Sequence, residues 1–245
     1  MSEQTPSPIV IFGATGAVGS QLARRLYARG TPLHLVGRNN EALQALSQEL
    51  NADATTCDVL VDDDLQQVYK DIASERIGGL AFCVGSIVLK SLRSATSDDF
   101  MTAYQLNVVA AAQAIRYGLQ RLKKGNASIV LFSSVAASRG FHNHAVIGSA
   151  KAGVNGLALA MASELAPEIR VNAIAPSLSE SAMSANLLQN DKVADNIARQ
   201  HPLQRLGKPD DHAAMAAYLL SPESGWITGQ IFGVDGGRSN ANLPG

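Results

Sequence analysis

The sequence has few cysteines, no block of like charge and no long uninterrupted apolar run. Its two cysteines, Cys57 and Cys83, both stand in apolar, strand-like stretches. That placement implies buried free thiols in a reducing compartment, not a disulfide framework. No Cys/His group has metal-ligand spacing, so no metal is expected. The net charge is −1 and there is no long basic run, which removes the electrostatic footprint of a nucleic-acid binder. No apolar run approaches the roughly 20 residues of a membrane-spanning helix. The start, MSEQTPSP, is polar and lacks the apolar segment of a signal peptide. These absences together point to a cytoplasmic protein without membrane attachment.

What is present is apolar residue content of 46% in 245 residues, ample for the core of one domain spanning residues 1–245. The chain is organised around Pro8–Ser20, PIVIFGATGAVGS. Ile9–Phe12 reads as a buried strand, Gly13, Gly16 and Gly19 recur every third residue, and Ala17–Tyr27 reads as a helix. Strand, glycine turn and helix in that order form a cradle for a dinucleotide pyrophosphate. The turn needs residues without a β-carbon, the backbone must approach the phosphates, and the helix start offers free N–H groups. Gly13, Thr15, Gly16, Ala17, Val18 and Gly19 would make that cradle.

Further strand-like runs follow at Leu33–Val36, Ala54–Cys57, Leu80–Val84, Ser128–Phe132, Val171–Ile174 and Gln230–Val234. They are near-continuous apolar runs separated by helical patterns. This predicts a single doubly wound α/β domain: a seven-stranded parallel sheet with helices on both faces. The stretch Ser177–His201 is the least regular and is expected to be a mobile segment over a cleft. Within it Leu178, Met183, Leu187 and Leu188 hint at an apolar ligand.

The second strand ends in Val36-Gly37-Arg38-Asn39. An NAD site places a carboxylate near this point to hold the ribose hydroxyls. Here Gly37 offers none, and the Arg38 guanidinium suits a 2′-phosphate. NADP(H) is therefore favoured over NAD(H), the alternative being that Arg38 is a solvated charge capping the next helix. Asp58 and the backbone at Val59 follow the third strand and either meet an adenine edge or serve as a loop before the helix Asp62–Ser74. Gly85, after the fourth strand, would let the backbone pass close to a cofactor. Asn107 lies in an apolar helical run and needs buried partners, structural or functional. Ser133 and Ser134 end the fifth strand. The helix that carries Lys151 has no charged residue from Ala152 to Ser163, so it must be buried on every side, by the sheet and by another subunit.

These landmarks together resemble the short-chain dehydrogenase/reductase family over nearly the whole chain, as a Rossmann-type domain. The resemblance rests on the Gly13–Gly19 turn, Asp58, Gly85, Asn107, Ser134, Lys151, the run Arg170–Pro176, Ile227–Gln230 and Val234–Gly237. It implies that Lys151 holds the nicotinamide ribose, Ser134 hydrogen-bonds the substrate oxygen, Asn107 supports a proton-relay water, and Pro176 and Ser181 touch the nicotinamide end. It also implies a homodimer or homotetramer built on the helix after Lys151 and on the C-terminal strand. Two departures stand out. Gly16 and Ala17 stand where the family usually has a polar residue and a glycine. The family's acid tyrosine, four residues before the lysine, is Ile147 here. Loss of a general acid typically costs roughly 10²–10⁴-fold in rate. His144, seven residues before Lys151, occupies the place where the enoyl-carrier-protein reductase branch has its tyrosine. A neutral imidazole there can still donate a hydrogen bond; the alternative is that His142 and His144 are merely polar loop residues. The expectation is an NADP(H)-dependent oxidoreductase acting on a small, apolar carbonyl, alcohol or enoyl substrate. The other possibility is a non-catalytic NADP(H)-binding sensor or scaffold.

Overall fold

Alternate residues of the first strand point to opposite faces, and this divides the core in two. In the computed structural model, which describes residues 7–181, 184–185 and 191–242, β1 (Ile9–Phe12) sends Val10 and Phe12 into one core with Leu80, Ile129 and Val171. Ile9 and Ile11 enter the other core with Leu35, Val130 and Ile174. A strand buried on both faces must be apolar at every position, which is why β1 carries no polar side chain.

The remaining strands are β2 (Leu33–Gly37), β3 (Asp53–Thr56), β4 (Gly79–Phe82), β5 (Ser128–Phe132), β6 (Arg170–Pro176) and β7 (Ile231–Val234). All pair in parallel, in the order β3-β2-β1-β4-β5-β6-β7. Helices α1 (Ala17–Tyr27) and α2 (Asn40–Leu50) and the helix Pro209–Leu219 cover one face. Helices α3 (Asp62–Asp71), α5 (Ala110–Lys124) and α6 (Ala145–Leu165) cover the other; the shorter α4 (Ser97–Tyr104) packs on α6 through Ala103 and Val146. The doubly wound parallel sheet expected from the sequence is the fold. The strand order reverses between β1 and β4, and that switch point opens a crevice beyond their C-terminal ends.

Three expectations are corrected. β3 is not apolar: it is an edge strand of sequence DATT with two exposed positions, because an edge has one neighbour and less to bury. β4 ends at Phe82. Cys83 keeps one sheet hydrogen bond, its N–H donating to the Phe12 carbonyl at 2.9 Å, and the chain then turns out of the sheet. Finally, α6 is long and apolar enough to cross a membrane by length and composition. Its place in the fold accounts for that composition, since Val154, Ala158 and Leu165 join the core. Its opposite face is open in the single chain, with Leu159 51% exposed. Met183, Leu187 and Leu188 lie outside the described residues.

Asn172, fully buried in β6, holds the chain that leads into β7. Its Nδ2 donates to the Ile227 carbonyl at 3.0 Å and its Oδ1 accepts from the Gln230 N–H at 3.0 Å. Asn172→Ala removes both bonds, but the Ile227 carbonyl still accepts from Arg170 Nη1 at 3.1 Å, so chiefly the Gln230 N–H loses its partner. It is expected to lower unfolding free energy by about 1–3 kcal/mol, read from urea denaturation.

Candidate active site

The glycine turn is crowded in a way that only glycine permits. Gly13 has φ +74°, and a β-carbon on it would lie 3.0 Å from the carbonyl carbon of Cys83. A β-carbon on Gly19 would overlap the Gly13 carbonyl oxygen. Gly16 caps α1 with extended backbone and donates its N–H to that same oxygen at 2.9 Å. The first turn of α1 holds no acidic side chain, so its N–H groups and positive dipole end face outward unopposed. Thr15 packs toward β2, where a β-carbon on Gly37 would meet its hydroxyl at 3.4 Å.

Beyond the C-terminal ends of β1, β4, β5 and β6 lies a cavity of about 510 Å³. Gly16, Ala17 and Val18 line it at the turn; Gly85, Ser134 and Lys151 line it further along; Pro176 and Ser181 line it after β6. Lys151 is 8% exposed and donates from Nζ to the Phe132 carbonyl at 2.8 Å, with no carboxylate partner among the described residues. Burial alone pushes its pKa down to about 8. Asn107 lies in a π-helical turn, Gln105–Val109, and is 2% exposed. Its Nδ2 donates to the Ala103 carbonyl at 2.8 Å, while its Oδ1 has no partner among the described residues. A β-carbon on Gly85 would sit 3.0 Å from that oxygen and 3.1 Å from Lys151 Nζ. The absence of a side chain at Gly85 thus leaves room between an orphaned acceptor and an ammonium with unused donors.

Ser134 Oγ accepts from the Ala136 N–H at 3.1 Å, which leaves its own proton for a ligand. Ser133, by contrast, is buried, and its hydroxyl donates to the Lys151 carbonyl at 3.1 Å. Ile147 is 4% exposed and lines the cavity; none of the five tyrosines does so. His144 lines the cavity and precedes α6 as its N-cap residue. Its Nδ1 lies 2.7 Å from the His142 carbonyl and must carry the proton. This corrects the expectation that a neutral His144 donates into the site. In the neutral ring the only N–H is already used, so Nε2 donates only from the imidazolium. Cys83 lines the cavity but is only partly buried, and desolvation pushes its thiol up to about 12; Cys57 is buried and likewise held at about 12. Neither is a nucleophile at neutral pH.

Of the sequence candidates, Asn107, Gly13, Thr15 and Gly19 do not line this cavity, and Arg38, Asp58 and Val59 stand apart from it. Arg38 is exposed after β2 and has no hydrogen bond or ion pair with the described residues; the cap of α2 is Asn39, whose side chain accepts from the Ala42 N–H. Asp58 turns its carboxylate to the Leu60 N–H at 3.0 Å, and its own N–H is taken by Asp64. Val59 is buried beside it. Sequence reasoning passed over Phe141, His212 and Arg238, which also line the cavity. They lie in loops or at helix ends far apart in the chain, where no periodicity marks them.

A family model described as "Enoyl-(Acyl carrier protein) reductase" matches residues 13–239. The chain belongs to the short-chain dehydrogenase/reductase family. It is 29% identical over 233 residues to carbonyl reductase family member 4 of Xenopus laevis, covering 93% of this chain and 95% of that protein. It is 30% identical over 234 residues to a 3-oxoacyl-[acyl-carrier-protein] reductase of Bos taurus, with coverage of 93% and 95%. A short-chain type dehydrogenase/reductase from Mycobacterium ulcerans superposes with a TM-score of 0.90 at 27% identity, covering 100% of this chain and 94% of that one. An actinorhodin polyketide ketoreductase with NADPH gives 0.88 at 26%, covering 96% and 98%.

The buried Lys151 of this short-chain dehydrogenase/reductase has a pH signature. Its folded pKa lies below its unfolded value of 10.5, so the folded state binds fewer protons between about pH 8 and 10.5. The penalty on the ammonium, on the order of 3 kcal/mol, is fully felt below pH 8 and disappears as pH rises through that window. Urea denaturation should show the wild type gaining stability relative to Lys151→Met from pH 8 to 10.5, with a constant difference below pH 7.

Proposed function

We propose that the protein is an NADP(H)-dependent oxidoreductase acting on a small, apolar carbonyl, alcohol or enoyl compound. The observation that carries this is that Lys151 and Ser134 line one cavity beside a glycine turn, with the orphaned Asn107 Oδ1 next to Gly85 on its wall. The residues fit a dinucleotide. The turn is bare where β-carbons would fill the cradle, and the helix start faces outward. The NADPH carried by the actinorhodin ketoreductase and the reductase names of the curated relatives support the same reading.

When bound, the nicotinamide supplies or accepts hydride. Lys151 fixes the ribose hydroxyls, and its buried charge stabilises negative charge developing on the substrate oxygen. Ser134 donates a hydrogen bond to that oxygen. The proton comes from the imidazolium of His144 at Nε2, or from a water held between Lys151 and Asn107, because Ile147 has none to give. Arg38 grips the 2′-phosphate at the end of β2. The exposed face of α6 with Leu159, together with the fully exposed Trp226 near β7, is the surface through which the chain forms a homodimer or homotetramer. We place the protein in the cytoplasm.

Parallel calorimetric titrations with NADPH and NADH test the reading. NADPH should bind about ten- to a hundredfold more tightly, and Arg38→Ala should erase the difference. Binding of neither nucleotide would sink the proposal. With NADPH and a panel of carbonyl and enoyl compounds, Lys151→Ala should abolish turnover. Ile147→Tyr should raise carbonyl reduction by roughly 10²-fold or more if the missing acid is what limits it; an unchanged rate would place the proton source elsewhere.

A further inference from the structure

Two arginines share one aromatic ring at the edge of the cavity. The Arg238 guanidinium lies 4.8 Å from the centre of the Phe141 ring, and that of Arg139 lies 5.8 Å from it. Phe141 and Arg238 line the cavity, whereas Arg139 is exposed beside them and donates to the Arg238 carbonyl. Neither forms an ion pair with a described carboxylate. Asp235, the nearby acid, gives its two oxygens to the N–H groups of Gly237 and Ser239. Glu180 is the one acid among the described lining residues; it is exposed and its charge acts on Arg205. Burial, and then the charge of Arg139, hold the Arg238 pKa below its usual value, partly offset by the charge of Asp235. Like charges set side by side and partly desolvated call for an anion.

Arg238 is also held in place by neutral groups. Gln200 Oε1 accepts from its Nη2 at 2.6 Å. His201, 1% exposed, has Nδ1 2.8 Å from the Ile197 carbonyl, so Nδ1 carries a proton, and when the ring holds one proton Nε2 accepts. Ser177 must then donate its hydroxyl to that Nε2 at 2.8 Å, turning its oxygen toward Arg238 Nη1 at a longer 3.4 Å. Two N–H groups of the guanidinium are occupied in this way, and the others have no described partner. The cavity that Arg238 and Ser134 both line also carries apolar side chains, among them Val135, Ile147 and Leu178.

We propose that Arg238, assisted by Arg139, binds the carboxylate of a substrate whose apolar body lies along this wall and whose reacting oxygen lies at Ser134. A planar guanidinium with free N–H groups matches a carboxylate in two parallel hydrogen bonds. The word substrate rests on the oxidoreductase reading above; the carboxylate site itself does not.

Calorimetric titration with octanoate and with octanamide, with and without saturating NADPH, tests the site without requiring turnover. Octanoate should bind about tenfold or more tightly than octanamide. Arg238→Gln should bring the two probes to within about threefold, Arg238→Lys should keep part of the preference, and Arg139→Gln should lose part of it. NADPH affinity should stay unchanged in all three variants. Equal binding of the two probes by the wild type overturns the proposal, as does a preference that survives Arg238→Gln. A fall in NADPH affinity in Arg238→Gln with octanoate binding intact would mean that the arginine serves the cofactor, and overturns it too. If Arg238→Gln does not fold, as judged by its near-ultraviolet circular dichroism, Arg139→Gln decides, and a full preference there is fatal. Failure of the wild type to bind NADPH would remove the oxidoreductase reading while leaving the octanoate preference measurable.

Discussion

The carbonyl oxygen of Gly13 is the most crowded point of the site. The N–H of Gly16 reaches it, α1 passes so close that Gly19 has no room for a β-carbon, and the end of β4 lies against Gly13 from the other side. These contacts fix strand, turn and helix within contact distance of one another at the place where the strand order reverses. A parallel sheet leaves such a crevice only at its switch point, because elsewhere the connections close over the strand ends. The cavity follows from that geometry. Its floor is the outgoing chain at Cys83 to Gly85, and its walls are the segments that leave β5 and β6.

Within the cavity the dominant energetic feature is an ammonium buried without a counter-charge. Lys151 is held by one backbone carbonyl in surroundings that favour its neutral form. A folded chain tolerates that penalty only because α6 is packed on both the sheet and the segment after β5, so Lys151 cannot swing out to water. The same burial makes the charge effective toward an oxygen in the cavity, since little water competes with it. The orphaned oxygen of Asn107 adds a second uncompensated group beside the first.

Ile147 fits this frame by packing into the cavity wall. It is buried at the cavity wall on the same helix as Lys151, so packing is preserved where a proton donor is absent. His144 stands nearby, yet the His142 carbonyl fixes its tautomer. In the proposed reaction, proton supply would then fall to the imidazolium of His144 or to water.

The sheet was largely legible in the sequence. Ile9–Phe12 and Ser128–Phe132 read as strands because positions buried on both faces must be apolar, and the glycine spacing from Gly13 to Gly19 read as a turn because nothing larger fits. Strand ends were less legible: Cys83 and Val84 are apolar because they line a cavity, which composition does not distinguish from a strand. Edge position is likewise silent, so the polar β3 departed from the apolar pattern. Among the candidate site residues, Ser134, Lys151, Asn107 and Gly85 were legible through the resemblance to the family rather than by composition or periodicity. The tautomer of His144, the room beside Gly85 and the meeting of Arg139, Phe141 and Arg238 were not legible. Local sequence determines burial and turn chemistry, because those depend on the size and polarity of neighbouring residues. Only the tertiary structure decides which distant loops meet, because a pairing such as Arg139 with Arg238 depends on where β5 and β7 end in the finished sheet.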